Sequence, residues 1–252
     1  MKPTFLNHDN PLLTVMLQCE IPETAIGRIR NANCLGADAY GLQVESLKPE
    51  HQNPDTYRRL FASMKGRPCY VTNYRMANNS GKTDEEIAQG LITLAQCGAT
   101  LCDVMGDLFC VHPEELTDNA DAIEKQRKLI EKLHSLGAEV LMSSHIHKFT
   151  PAERVLEIAL EQKRRGADII KIVTGAESMQ QQIENLRITQ LLKEELGAPF
   201  LFLSGGESSL HRRLGMKLGC CMALCVYEHD ALSTAAQPLL STMKTIRDII
   251  DF

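Results

Sequence analysis

The sequence predicts an α/β fold built as a single (β/α)8 barrel over residues 1–252, and three observations predict it. Eight short apolar runs recur along the chain, helix-period segments lie between them, and the dipeptide Gly-Ala returns at five helix-to-strand junctions. The length of 252 residues matches the roughly 250 that such a barrel typically needs.

In chain order the runs are LLTVMLQ (12–18), AYGLQV (39–44), CYVTNY (69–74), TLCDVM (100–105), EVLMSS (139–144), DIIKIV (168–173), FLFLSG (200–205) and CMALCV (221–226). A strand covered on both faces reads as a continuous apolar run, the pattern of a parallel sheet under helices. Gly36-Ala37, Gly98-Ala99, Gly137-Ala138, Gly166-Ala167 and Gly197-Ala198 mark the helix ends. A Gly just past a helix takes the left-handed conformation that closes the last turn. Thr83 with Glu86 three residues on forms a capping-box pattern before the fourth strand. After the fifth strand, Thr150 reads as a cap and Pro151 as a first-turn residue. The segment ERVLEIALEQKRRG then repeats apolar positions at three and four residues through Val155, Leu156, Ile158, Ala159 and Leu160. An open doubly wound sheet is the alternative, but no Gly-x-Gly-x-x-Gly follows the first strand.

Composition narrows the function classes. Lys plus Arg number 27 against 32 Asp plus Glu, a net charge of −5, so no basic footprint for nucleic acid is present. No stretch reaches the roughly 18 apolar residues of a membrane span, and MKPTFLNHDNPLL lacks a secretory apolar region; a soluble cytoplasmic protein is expected. The nine Cys include no Cys-x-x-Cys pair and read as reduced, mostly buried residues.

In this fold active sites lie at the carboxyl ends of the strands. Lys171 sits inside the apolar run 168–173, where a solvated charge is not expected. It is either a buried lysine paired with a carboxylate or a Schiff-base lysine, because desolvation disfavours the ammonium and leaves an amine able to attack a carbonyl. His145 ends the preceding strand and reads as a general acid/base for a substrate bound as an imine. His145 and His147 with Asp103 form an alternative metal set, set aside here in favour of no metal, with His147 read as a surface residue. Arg75 ends the third strand, and Gly205-Gly206 leads into a helix opening at Ser208 that carries Arg212 and Arg213. Ser233 and Gln237 lie in the loop after the eighth strand. Guanidinium groups gathered at one barrel end suit a carboxylate substrate.

These residues resemble the type I 3-dehydroquinate dehydratases. The family's histidine lies in Ser-x-His followed by Thr-Pro, standing here as Ser143-Ser-His145 with Thr150-Pro151. Its lysine lies in Gly-Ala-Asp-Ile-x-Lys-Ile, here Gly166 to Ile172, 26 residues beyond His145. The resemblance covers nearly the whole chain. It implies an imine between Lys171 and the ketone of 3-dehydroquinate, then loss of water to give 3-dehydroshikimate, an enzyme of the shikimate pathway without a cofactor, and a homodimer. Arg75, Arg212, Ser233 and Gln237 match its substrate contacts, and the loop from Tyr227 to Ala236 matches a lid. The departures are specific. Gly41 and Gln43 stand where the family has Glu-x-Arg for substrate hydroxyls, Asn79 where it has the glutamate that positions the histidine, and Met105 at an acidic position. Gln43 and Asn79 are retained as candidate substrate contacts. Two rivals follow: an aldolase-type lyase or dehydratase using the same imine on another keto acid, and a non-catalytic paralogue that only binds a carboxylate.

Overall fold

The computed structural model describes residues 3–206 and 209–250; Ser208, where the seventh helix was expected to open, lies outside them. Strands β1 (Leu12–Leu17), β2 (Ala39–Gln43), β3 (Cys69–Thr72), β4 (Leu101–Met105), β5 (Glu139–His145), β6 (Ile169–Thr174), β7 (Phe200–Ser204) and β8 (Met222–Cys225) coincide with the eight apolar runs to within two residues. Between them run helices α1 (Pro22–Leu35), α2 (Pro54–Ser63), α3 (Asp84–Cys97), α4 (Ala120–Ser135), α5 (Ala152–Arg164), α6 (Met179–Glu195) and α7 (Ser209–Leu214), with α8 (Leu240–Ile249) last. Every strand pairing is parallel, in the order β7-β6-β5-β4-β3-β2-β1-β8. Cys221 N donates to Phe200 O at 2.9 Å, drawing the last strand against β7 and nearly closing the barrel.

Alternate residues of each strand face opposite ways, which sorts the core into two layers. Leu12, Met16, Ala39, Tyr70, Leu101, Leu141 and Ile169 belong to one buried cluster with Leu201 and Met222, filling the barrel. Leu13, Val15, Val71, Val104 and Val140 belong to the cluster that packs on Ile29, Leu60, Ile87 and Leu133 of the helices. Each such aliphatic side chain contributes about 1.5–3 kcal/mol by leaving water.

The local signals have physical counterparts. All five Gly-Ala glycines have φ between 58° and 117°. Thr83 and Glu86 form the full capping box, with Thr83 N donating to Glu86 Oε2 at 2.8 Å and Glu86 N to Thr83 Oγ1 at 3.2 Å. One cap differs from expectation. Pro151 is the N-cap of α5, with extended backbone and no side-chain cap bond, and Ala152 begins the helix. The Thr150 hydroxyl bonds to Lys148 O at 3.2 Å instead, as suits a residue that the following proline biases toward extended backbone. Among the described residues no helix is long and apolar enough to cross a membrane.

Candidate active site

Lys171 is 4% exposed and donates to Tyr74 Oη at 2.6 Å, Tyr70 Oη at 2.9 Å and Asp103 Oδ2 at 3.1 Å. The topology explains the meeting. Tyr70, Asp103, Ser143 and Lys171 stand on four successive strands, with Ser143 opposite Lys171 in the β5–β6 register. Asp103 Oδ2 also accepts from Tyr70 and, at 2.5 Å, from Tyr74, while its Oδ1 accepts from Ser143 Oγ at 2.5 Å. Burial, reinforced by the charge of Asp103, pushes both phenols well above their ordinary pKa, so they stay neutral donors. A carboxylate taken from water needs such donors, since a buried charge without partners is strongly unfavourable. The pairing with a carboxylate is therefore present, and it also supplies Lys171 with an adjacent proton acceptor.

His145 closes β5 and is half-buried. Its Nδ1 lies 2.7 Å from Glu115 Oε2, and its backbone N donates to the same oxygen at 3.0 Å. No bond to the protein engages Nε2 among the described residues. The Tyr74 ring meets the imidazole edge-on at 5.4 Å, so one tyrosine touches both His145 and Lys171. His147 stacks on His145 at 6.2 Å from a backbone with φ 59°. Asp103 faces Lys171 while His145 faces Glu115, so the trio His145, His147 and Asp103 does not assemble as ligands.

The remaining candidates divide. Arg212 donates through Nε to Ser204 O, at the carboxyl end of β7, at 2.9 Å. Burial lowers its pKa to about 10, and no carboxylate stands against it among the described residues. Gln237 is buried, and its side-chain oxygen has no partner among the described residues. Nearby, Gln18 at the end of β1 holds the last loop by donating to Thr234 Oγ1 at 2.8 Å and accepting from Thr234 N at 3.1 Å. Ser233 uses its hydroxyl inside that loop, accepting from Asp230 N at 2.8 Å and donating to Asp230 O at 2.9 Å. Gln43 ends β2 opposite Thr72 and is half-buried.

Arg75 and Asn79 are engaged elsewhere. Arg75 makes a two-bond pair with Asp84 at 2.6 and 2.8 Å and meets Asp107 at 2.7 Å, stapling the loop after β3 to the loop after β4. Its charge is already matched. Asn79 is fully buried; its Nδ2 donates to Asn73 Oδ1 at 2.7 Å and Tyr74 O at 3.1 Å, and it accepts from Lys82 at 2.6 Å. It anchors the backbone of Tyr74. Just past β2, Glu45 is fully enclosed, accepting from Thr72 Oγ1 at 2.8 and 3.0 Å, with burial raising its pKa to about 7. At Gly41 an added Cβ would lie 2.2 Å from Met16 Sδ, so the thioether fills the space beside that strand.

Sequence reasoning missed Tyr70, Tyr74, Glu45, Gln18 and Glu115. For Tyr70 a signal existed, a polar-tipped residue within a buried run, as with Lys171 itself. Glu115 gave none, because its place depends on how the loop between Met105 and Ala120 folds back onto β5.

The family model described as type I 3-dehydroquinase matches residues 13–252. A 3-dehydroquinate dehydratase of Alkaliphilus oremlandii is 33% identical over 140 residues, 55% of this chain and 52% of that protein. The chain spans about half the length of the curated relatives it matches. Among solved structures, the 3-dehydroquinate dehydratase of Geobacillus kaustophilus HTA426 superposes with a TM-score of 0.80 at 16% identity, covering 96% of this chain and 91% of the other. The type I 3-dehydroquinate dehydratase of Clostridium difficile, with covalently modified comenic acid, gives 0.79 at 14% identity, covering 96% and 93%.

Proposed function

The chain belongs to the type I 3-dehydroquinase family, and from that premise we propose that it is a Schiff-base lyase that dehydrates 3-dehydroquinate to 3-dehydroshikimate. The observation that carries the reading is the pairing of two prepared groups at one barrel end. One is the Lys171 amine, held by Asp103 and two neutral phenols. The other is His145, tethered through Nδ1 with Nε2 unengaged among the described residues.

The steps follow from those atoms. A proton leaves Lys171 Nζ for Asp103 at 3.1 Å, and the amine adds to the ketone carbon. Loss of water from the carbinolamine gives the protonated imine, which draws electrons from the adjacent carbon. His145 Nε2 removes the proton there, then returns it to the departing hydroxyl, so that water leaves and a double bond forms. Hydrolysis of the imine frees the product and restores Lys171. Arg212, half-buried and without a carboxylate partner among the described residues, is the proposed receptor for the substrate carboxylate, with Gln237 accepting from a hydroxyl. No cofactor takes part, since the imine is the electron sink. The proposal extends to one barrel domain over residues 1–252, working in the cytoplasm as a homodimer; these points rest on the family.

A second reading, the same imine on a keto acid with fewer hydroxyls, is favoured by Gly41. There Met16 occupies the side where the resemblance calls for a hydroxyl-binding glutamate. Assays of the purified protein on 3-dehydroquinate, following the absorbance of the conjugated product, separate the two. Turnover is the expected result. Inertness toward 3-dehydroquinate with turnover of a less hydroxylated keto acid would favour the second reading.

A further inference from the structure

We propose that Glu115 is the positioning residue for His145, supplied by the loop between β4 and α4 rather than from position 79. The proposal rests on the reading of His145 as the acid/base. Its geometry is independent of that reading. One carboxylate oxygen of Glu115 accepts from both the backbone N of His145, at 3.0 Å, and Nδ1, at 2.7 Å. A carboxylate can only accept, so Nδ1 carries the hydrogen and Nε2 keeps its lone pair. The same oxygen sets the ring plane and stabilises the imidazolium formed when Nε2 takes a proton. Asn79 makes neither contact; its amide is committed to Asn73 and the Tyr74 carbonyl.

The loop is built to hold this carboxylate inward. Glu115 has φ 45°, a backbone region that a residue with a Cβ rarely adopts. Its carbonyl accepts from Ser144 Oγ at 2.8 Å, and an added Cβ at Gly106 would lie 2.4 Å from it, so the loop seats on Gly106. Buried Arg165 clamps both ends of the loop, donating to Gly106 O at 3.0 Å and Thr117 O at 2.5 Å, and Gln126 adds a bond to Gly106 O at 2.9 Å. The neighbouring Glu114 turns outward to Arg154 at 2.7 Å. Adjacent carboxylates are thus split, one to the surface and one to the histidine.

The test pairs a substrate-free readout with kinetics, using Glu115→Ala and Glu115→Gln. In nitrogen-15 spectra of the free protein, His145 shows the tautomer with hydrogen on Nδ1. Glu115→Ala converts it to a mixture, and Glu115→Gln, whose amide oxygen still accepts, retains it. In turnover, Glu115→Ala lowers kcat about 100-fold and Glu115→Gln about 10-fold. KM stays within about threefold, and borohydride still traps substrate on Lys171. An unchanged tautomer in Glu115→Ala overturns the proposal, as does a loss of kcat matched by loss of trapping and of melting temperature, which marks a structural role only. If wild-type protein turns over no keto acid, the functional reading fails and the spectra alone decide the role of Glu115.

Discussion

The two halves of the barrel mouth are prepared differently. Around β3 to β6 the polar groups are bonded to one another: Asp103 to Lys171, both tyrosines and Ser143, Glu115 to His145, Arg75 to two aspartates. Around β7, β8 and the final loop, Gln18 and Ser233 hold the loop itself, but two groups stay open. Among the described residues, the Arg212 guanidinium meets only a backbone carbonyl and the Gln237 oxygen is unpaired. Groups that move protons gain from fixed geometry before substrate arrives, because nothing need reorganise during reaction. Groups that recognise substrate gain from being unsatisfied until it comes. On the proposed reading, chemistry falls to one half and recognition to the other, and substitutions can break or sharpen that division.

The largest effect is expected in the bonded half. Lys171→Met keeps the bulk of the side chain while removing the amine, and should lower turnover at least about 10³-fold. The fold should survive, because Asp103 retains three hydroxyl donors. Circular dichroism alongside the assay checks this, and residual turnover within tenfold of wild type would remove Lys171 from the chemistry.

Arg212→Ala tests the open half. Losing one charged contact to a carboxylate should raise KM about 10- to 100-fold with kcat little changed. Stability should hold or rise slightly, since the variant removes a half-buried charge that has no carboxylate partner among the described residues. A fall in kcat at constant KM would contradict the division between halves.

A different kind of effect, on stability rather than turnover, concerns Glu45 beside the bonded half. Burial raises the pKa of Glu45 to about 7, above its ordinary value of 4.5, so the folded chain binds the extra proton between those values. Its stabilising contribution is therefore full below about pH 4.5 and is lost as pH rises through about 7, an order-of-magnitude loss of about 3 kcal/mol. Urea unfolding of Glu45→Gln across pH 5 to 8 should give a flatter profile than wild type. Identical slopes would mean that Glu45 ionises as freely in the fold as outside it.

How much was legible in the sequence follows from the range of each interaction. Strand positions were readable to within two residues because burial on both faces writes a continuous apolar run, and helix ends because φ above zero selects glycine at Gly36 or Gly98. Lys171 and His145 were readable because a charge inside such a run, and a histidine ending one, are local anomalies. Their partners were not. Tyr74 reaches Lys171 across the barrel interior, 97 residues along the chain, and Glu115 reaches His145 through a folded loop. Arg75 illustrates the converse. As a strand-end arginine it reads as a free anion receptor, and only the loop geometry of Asp84 and Asp107 reveals that its charge is matched.

The central claim is that Lys171 forms an imine with a carboxylate-bearing ketone, and the direct measurement is borohydride reduction of the protein with 3-dehydroquinate, followed by intact mass and peptide mapping. The expected result is a ligand-sized mass increase on the peptide containing Lys171, absent in Lys171→Met. No adduct from folded wild-type protein, or an adduct that persists in Lys171→Met, would contradict it.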